Sequence, residues 1–102
     1  MRLTYKAEAR VELWEAALYY ERRETGLGTA FLDEVGRALN DLLLDPLRWR
    51  KSSGQFRRCL LKRFPYAIIY TVENDQVSLF AFAHLHRRPG YWRSRDRPPP
   101  PG

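Results

Sequence analysis

Arg57-Arg58-Cys59-Leu60-Leu61-Lys62-Arg63-Phe64-Pro65-Tyr66-Ala67-Ile68-Ile69-Tyr70 decides the fold. It reads as two strands meeting at a sharp turn. Pro65 fixes φ and has no N–H for a ladder, so Phe64-Pro65 breaks the run. Beyond it, Tyr66 to Val72 is aromatic and β-branched, the composition of a covered strand. Asn74-Asp75 then turns the chain into another apolar strand, Gln76 to Leu85. His84, His86, Arg87 and Arg88 arrive beside the same sheet. The expected result is a layer of β-structure with a cationic surface.

Side-chain alternation sorts these strands into faces. Ile68, Tyr70 and Val72 share one side of the middle strand, and Ala67, Ile69 and Thr71 the other. In the last strand Val77, Leu79, Ala81, Ala83 and Leu85 fall together, opposite Ser78, Phe80, Phe82, His84 and His86. The aliphatic set is expected against helices and the histidine set on the open face, where Phe80 and Phe82 then need partial cover.

Upstream lie two helical patterns. Ala9, Leu13, Ala16, Ala17 and Tyr20 make one stripe between Ala7 and Glu24, with Trp14 and Leu18 beside it. Acids come early and Arg22 and Arg23 late, which suits the helix dipole. Gly26 is a natural left-handed stop. A second helix is expected from near Thr29, its N-cap, with the stripe Phe31, Val35, Ala38, Leu39, Leu42 and Leu43 and an end at Asp45-Pro46. So short a break implies an antiparallel helical hairpin. Arg2 to Tyr5 reads as a short strand and Leu47 to Gln55 as a basic loop. Trp14, Trp49 and Tyr70 read as core or its margin. The fold class is α+β, in the order β-α-α-β-β-β, with the hairpin on one face of a small, mainly antiparallel sheet. Residues 1–92 form the domain, and 93–102 an Arg/Pro-rich flexible tail.

The 102 residues suit one domain, and 44% apolar content with 14% aromatics argues for a compact fold. Charge is polarised along the chain. Residues 1–47 carry six Lys/Arg against nine acids, whereas residues 48–63 carry seven and no acid. Residues 86–102 add five Arg against Asp96 alone. Such segregation points to an anionic partner, nucleic acid or acidic polypeptide. A single cysteine, Cys59, excludes an internal disulfide, favours a reducing compartment, and reads as a small buried hydrophobe. No apolar h-region opens the sequence, and no run nears the ~20 residues of a membrane helix, so a cytoplasmic protein without membrane partners is expected. No Cys/His grouping has metal-site spacing and no glycine-rich phosphate loop occurs, so neither metal nor cofactor is expected.

In order and in motifs the chain resembles the RelE/ParE superfamily of bacterial type II toxin–antitoxin toxins. The likeness rests on Glu8-Ala9 with the following helix, Asp45-Pro46, the Arg57-to-Tyr70 stretch, and His84-Leu85-His86-Arg87-Arg88-Pro89-Gly90-Tyr91-Trp92. The resemblance implies a small growth-inhibiting toxin bound and neutralised by a cognate antitoxin in a hetero-oligomer. It also implies one of two targets, ribosome-bound mRNA for RelE-like members or DNA gyrase for ParE-like ones. RelE-like nucleases carry a catalytic arginine on the middle strand, where Ala67 stands here, and another arginine near His86. ParE-like toxins keep a His-x-x-Arg motif, which His84 and Arg87 match.

RNA cleavage through the 2′-OH requires a base, an acid and cations around the phosphorane. His86, Arg87, Arg58 and Tyr91 are the candidate catalytic set on that reading. Arg57, Arg58, Lys62, Arg63, His84, Arg87, Arg88 and Trp92 are the candidate target or antitoxin surface. Each has a plainer structural account. Neighbours alternate, so Arg57 and Arg58 cannot both face outward, nor can Lys62 and Arg63. Tyr91 and Trp92 also suit a hydrophobic clamp over the sheet. Three functions remain open at this point: gyrase poison, ribosome-dependent endoribonuclease, and a non-toxic module binding RNA or an acidic partner.

Overall fold

The computed structural model describes residues 1–95. Strand β1 (Arg2–Tyr5) leads into helices α1 (Ala7–Arg23) and α2 (Leu27–Leu44). Four strands follow, β2 (Lys51–Ser53), β3 (Phe56–Leu60), β4 (Tyr66–Glu73) and β5 (Gln76–His84). The sheet order is β1-β5-β4-β3-β2; β1 runs parallel to β5 and every other pair is antiparallel. This is the expected α+β arrangement with one addition. The basic loop before β3 contains a short edge strand, β2, paired with β3.

The helical hairpin covers one face of the sheet. Ala9, Ala16, Ala17, Phe31, Val35 and Leu42 meet Cys59, Ile68, Tyr70, Val77, Leu79 and Phe82 in the main core. Tyr20, Phe31, Phe64 and Tyr66 form a mostly edge-on aromatic group within it, with ring centroids 4.8–6.2 Å apart. Tyr70 is fully buried and its hydroxyl donates to the Pro46 carbonyl at 2.7 Å, which ties the end of α2 to β4. Trp14, expected at the core margin, is instead 57% exposed on the outer side of α1. Two small residues, Ala16 and Ala17, occupy the inner face there, and Trp14 lies round the helix from them.

Helix α2 begins two residues before Thr29. Gly26 takes the N-cap position in the left-handed conformation. The cap comes from the other helix: the Glu21 carboxylate accepts from the N–H groups of Gly26 at 2.9 Å and Gly28 at 3.0 Å. Gly28 also lets the helices touch, because a Cβ there would lie 2.5 Å from the Ala17 carbonyl oxygen. Gly28→Ala should therefore cost about 1–3 kcal/mol through forced separation of the hairpin. Urea denaturation reads this directly, and an unchanged midpoint would mean that the contact yields freely.

The turn between β4 and β5 is as expected, with positive φ at Asn74 and Asp75 (48° and 62°), the two-residue hairpin geometry. The facing within β5 differs from simple alternation. Ile69 pairs with Ala81 but Tyr70 with Leu79, so Phe80 is an extra residue, a β-bulge. Phe80 and Ala81 both lie in the cluster on the open face, and Phe82 turns to the helices. The bulge reverses the parity of everything after it. Ala83 rather than His84 faces the open side, and His84 packs against Tyr66 at 5.1 Å between centroids. The assignment of the histidine set to the open face is thus corrected.

Past β5 the chain returns across the open face. Trp92 is 7% exposed, sealing Phe56, Ala67, Ile69, Phe80, Ala81 and Ala83, so it acts as a clamp and not as exposed target surface. Arg93–Arg95, expected to begin a flexible tail, forms a single 3-10 turn. The remainder of that expected tail, 96–102, lies outside the described residues.

Candidate functional site

The open face is only partly sealed. Between β3, β4, the end of β5 and the returning segment lies a cleft of about 310 Å³. Its floor is the cross-strand pair Ala67 and Ala83 with Ile69 beside them. Two methyl side chains facing each other leave a depression that larger residues would fill. Arg58, Arg87 and Arg93 stand around the cleft with Ser52 and Ser53, and Tyr91 and Trp92 form one wall. Among the described residues no carboxylate lines it.

Position on a pleated strand accounts for Arg58. Phe56 is buried on the open face, Cys59 on the helix side, so Arg58 shares the Phe56 side and Arg57 the other. Arg57 is spent structurally, donating to the carbonyls of Trp49 at 2.7 Å and Leu47 at 3.4 Å. Arg93 donates to the Ser53 hydroxyl across the cleft mouth. Gly90 leaves room for it, with φ +82° and only 3.1 Å between a would-be Cβ and the Arg93 guanidinium.

Glu12 of α1 organises the returning segment. Its carboxylate accepts from Phe82 N at 3.1 Å, Tyr91 OH at 2.7 Å, Arg95 at 2.8 and 2.9 Å, and Arg87 at 3.4 Å. Arg95 also donates to the Phe80 carbonyl at 2.9 Å, so the bulge is held from both sides. The Arg87 guanidinium stacks 3.8 Å from the Tyr91 ring centroid. Arg87 is still 54% exposed, which keeps its ion pair weak.

The expected site residues therefore divide. Arg58, Arg87, Tyr91, Trp92 and His84 border the cleft. His86 is exposed outside it, its ring 5.0 Å from that of His84, whose Nδ1 accepts the His86 N–H at 3.1 Å. Lys62 and Arg63 are exposed in the turn between β3 and β4, and Arg88 is exposed after β5. The backbone N–H groups of Lys62 and Arg63 both donate to the buried Glu34 carboxylate, at 2.7 and 2.9 Å. Arg57, Lys62, Arg63 and Arg88 are not among the residues that line the cleft. Among the described residues, no grouping of His, Cys, Asp and Glu could hold a metal ion. No described helix is long and apolar enough to cross a membrane.

A protein-family comparison now bears on this geometry. Residues 3–89 match the family described as ParE toxin of type II toxin-antitoxin system, parDE. The chain belongs to this family. Among solved structures it is similar to a chromosomal ParDE toxin–antitoxin system from P. aeruginosa, with a TM-score of 0.73 and 13% identity over 84% of this chain and 97% of that one. At that identity the likeness concerns the fold. No curated protein matches the chain in sequence. Within the ParE family frame, the His-x-x-Arg residues His84 and Arg87 sit at the junction of β5 with the returning segment, flanking both the cleft and the α1 side.

Sequence reading missed Glu12, Ser52, Ser53, Arg93 and Arg95. The first partners Arg95 across 83 positions, and only three-dimensional contact reveals such a pair. Arg93 carried a signal, a cation three residues after Gly90, but composition alone assigns it to a tail.

Three acidic protons are held by burial. Desolvation, then the Asp41 charge, push the Cys59 thiol up from 9.0 to about 11, with Arg48 opposing, so it is a core group and a poor nucleophile. Burial, reinforced by the nearby Cys59, pushes Tyr70 up from 10.0 to about 12. Burial, then the hydrogen bond to Glu12, raise Tyr91 as well. A raised acid pKa means that the folded state binds more protons than the unfolded one, so stability is intact below about pH 9 and is lost as pH climbs towards 12. The urea midpoint should fall steadily over that window, less steeply in Tyr91→Phe. A flat midpoint would contradict the burial of these groups.

Proposed function

We propose that this ParE-family toxin poisons DNA gyrase without cleaving RNA, and that a cognate antitoxin neutralises it. The observation that carries the reading is the alanine floor of the cleft. Where a 2′-OH cleavage site would need cations and an acid–base pair around the phosphate, β4 offers Ala67. The guanidinia there stay protonated and cannot act as a base, and the one imidazole bordering the cleft, His84, already accepts the His86 N–H through Nδ1. Tyr91 already gives its proton to Glu12 in a hydrogen bond, and burial disfavours its ionised form. His86, the candidate acid or base, lies outside the cleft lining.

One observation favours the alternative, RelE-like action. Arg58, Arg87 and Tyr91, three members of the candidate catalytic set, do border one cleft. Induced expression with and without an adjacent antitoxin gene separates the readings. Growth arrest rescued by the antitoxin, intact messages, and accumulation of cleaved gyrase–DNA complexes in a purified assay are the expected results. His86→Ala should remain toxic. Discrete in-frame mRNA cuts that disappear in His86→Ala would overturn the gyrase reading. Antitoxin affinity should weaken as salt rises, because cationic surface is neutralised on binding.

A further inference from the structure

We infer that two copies of this chain pair through the outer face of α1, the helices antiparallel about a two-fold axis that passes between Trp14 and Glu15. That face is apolar where a solvent-facing helix is ordinarily polar. Val11, Trp14 and Leu18 are each more than half exposed. At 3.6 residues per turn they fall within one strip about 60° wide, running along the helix. Trp14 makes no ring contact among the described residues, although it is the largest side chain of α1. A contiguous exposed apolar strip rimmed by charge marks an interaction surface.

The strip is complementary to itself. Val11 and Leu18 stand equally far, about 5 Å along the helix, on either side of the point between Trp14 and Glu15. A two-fold axis there sets Val11 of each copy against Leu18 of the other, and Trp14 against its own counterpart. The charges agree with that direction. Helix α1 is acidic in its first turn, at Glu8, and basic in its last, at Arg22 and Arg23. Antiparallel pairing brings Arg22 level with the first turn of the other copy, on the Glu8 flank of the strip, and opposes the two helix dipoles. Arg23 donates to the Tyr19 hydroxyl at 2.8 Å, whereas Arg22 is exposed with no hydrogen bond or ion pair among the described residues.

A partner drawn by the charge of the whole chain would settle elsewhere. Residues 7–23 carry four Glu (8, 12, 15, 21) against three Arg (10, 22, 23), net −1 in a chain of net +6. An acidic polypeptide gains nothing on this helix, whereas a second α1 presents the same charge pattern reversed. Two helices of about 25 Å bury less than the ~1,600 Å² of a standard interface, so the dimer is weak, with a Kd of about 1–100 μM. Pairing leaves the open-face cleft uncovered, because α1 lies on the other face of the sheet. It is independent of the toxin's target, and neither experiment decides the other.

The test is sedimentation equilibrium of the purified full chain from about 1 to 300 μM, where a monomer–dimer equilibrium is expected. Trp14→Ala should weaken it by about tenfold or more, with an unchanged urea midpoint because the side chain is exposed. Leu44→Ala removes a leucine that is 85% exposed at the end of α2, and should change the equilibrium less than about twofold. The two Glu15 carboxylates approach each other beside the axis, so Glu15→Gln should tighten the dimer by about twofold or more. Arg22→Glu should weaken it by about fivefold or more at low salt. A chain monomeric throughout that range overturns the proposal, as do equal losses in Trp14→Ala and Leu44→Ala. A dimer indifferent to both Glu15→Gln and Arg22→Glu overturns the antiparallel arrangement. A chain that stays monomeric, and whose Trp14→Ala variant loses affinity for the antitoxin, would assign the face to that partner instead.

Discussion

Glu12→Ala is expected to destabilise the protein by about 3 kcal/mol, the lower end of what breaking one side of a buried ion pair costs, because this pair is only partly buried. Glu12 and Arg95 are only 13% and 12% exposed, so removing the carboxylate strands a guanidinium in a poorly hydrated site. It also leaves the Phe82 N–H and the Tyr91 hydroxyl without their acceptor. Total stability for a domain of this kind is about 5–15 kcal/mol, so the variant should approach the threshold of folding at 37 °C. Urea midpoints measure the loss. Glu12→Gln keeps two of the acceptor contacts and should lose less than alanine. A loss below about 1 kcal/mol for Glu12→Ala would place this cluster with ordinary surface pairs.

Glu34→Ala is the second large effect, about 3 kcal/mol. Glu34 is 6% exposed, and one of its oxygens is the acceptor for two successive backbone N–H groups, those of Lys62 and Arg63. Buried donors left unpaired cost their full desolvation. Amide exchange at Lys62 and Arg63 should accelerate with the loss of stability, and Glu34→Gln should recover much of it. Slow exchange at both amides in the alanine variant would show that another acceptor already serves them.

Much of this architecture is legible in the residues. Helical spacing gives both helices within two or three residues, and Phe64-Pro65 with Asn74-Asp75 gives the strand breaks. The failures have specific physical causes. One extra residue at Phe80 reversed the facing of His84, and alternation has no means of detecting a bulge. A carboxylate from α1 caps α2, so the local preference of Thr29 for an N-cap was overridden. The charge segregation drew attention to residues 48–63, where Arg57 is consumed by loop carbonyls while its neighbour Arg58 has no hydrogen-bond or ion-pair partner among the described residues. Period-two reasoning stated that only one of that pair could face outward; it could not say which. The family resemblance is upheld by the match over residues 3–89, whereas the target surface has no such support.

The parallel pairing of β1 with β5 has a consequence for biosynthesis. Arg2 lies opposite Gln76, and Glu12 waits for donors as distant as Arg95, so the N-terminal segment acquires its partners only after residues 76–95 have been made. Contacts this far apart in sequence close late. A ribosome still translating the gene therefore carries a chain whose sheet is unfinished and whose cleft has no walls. For a toxin-family fold, a chain that has not yet reached Gln76 lacks the partner of its first strand, and one short of Arg95 lacks that residue's clamp on Glu12.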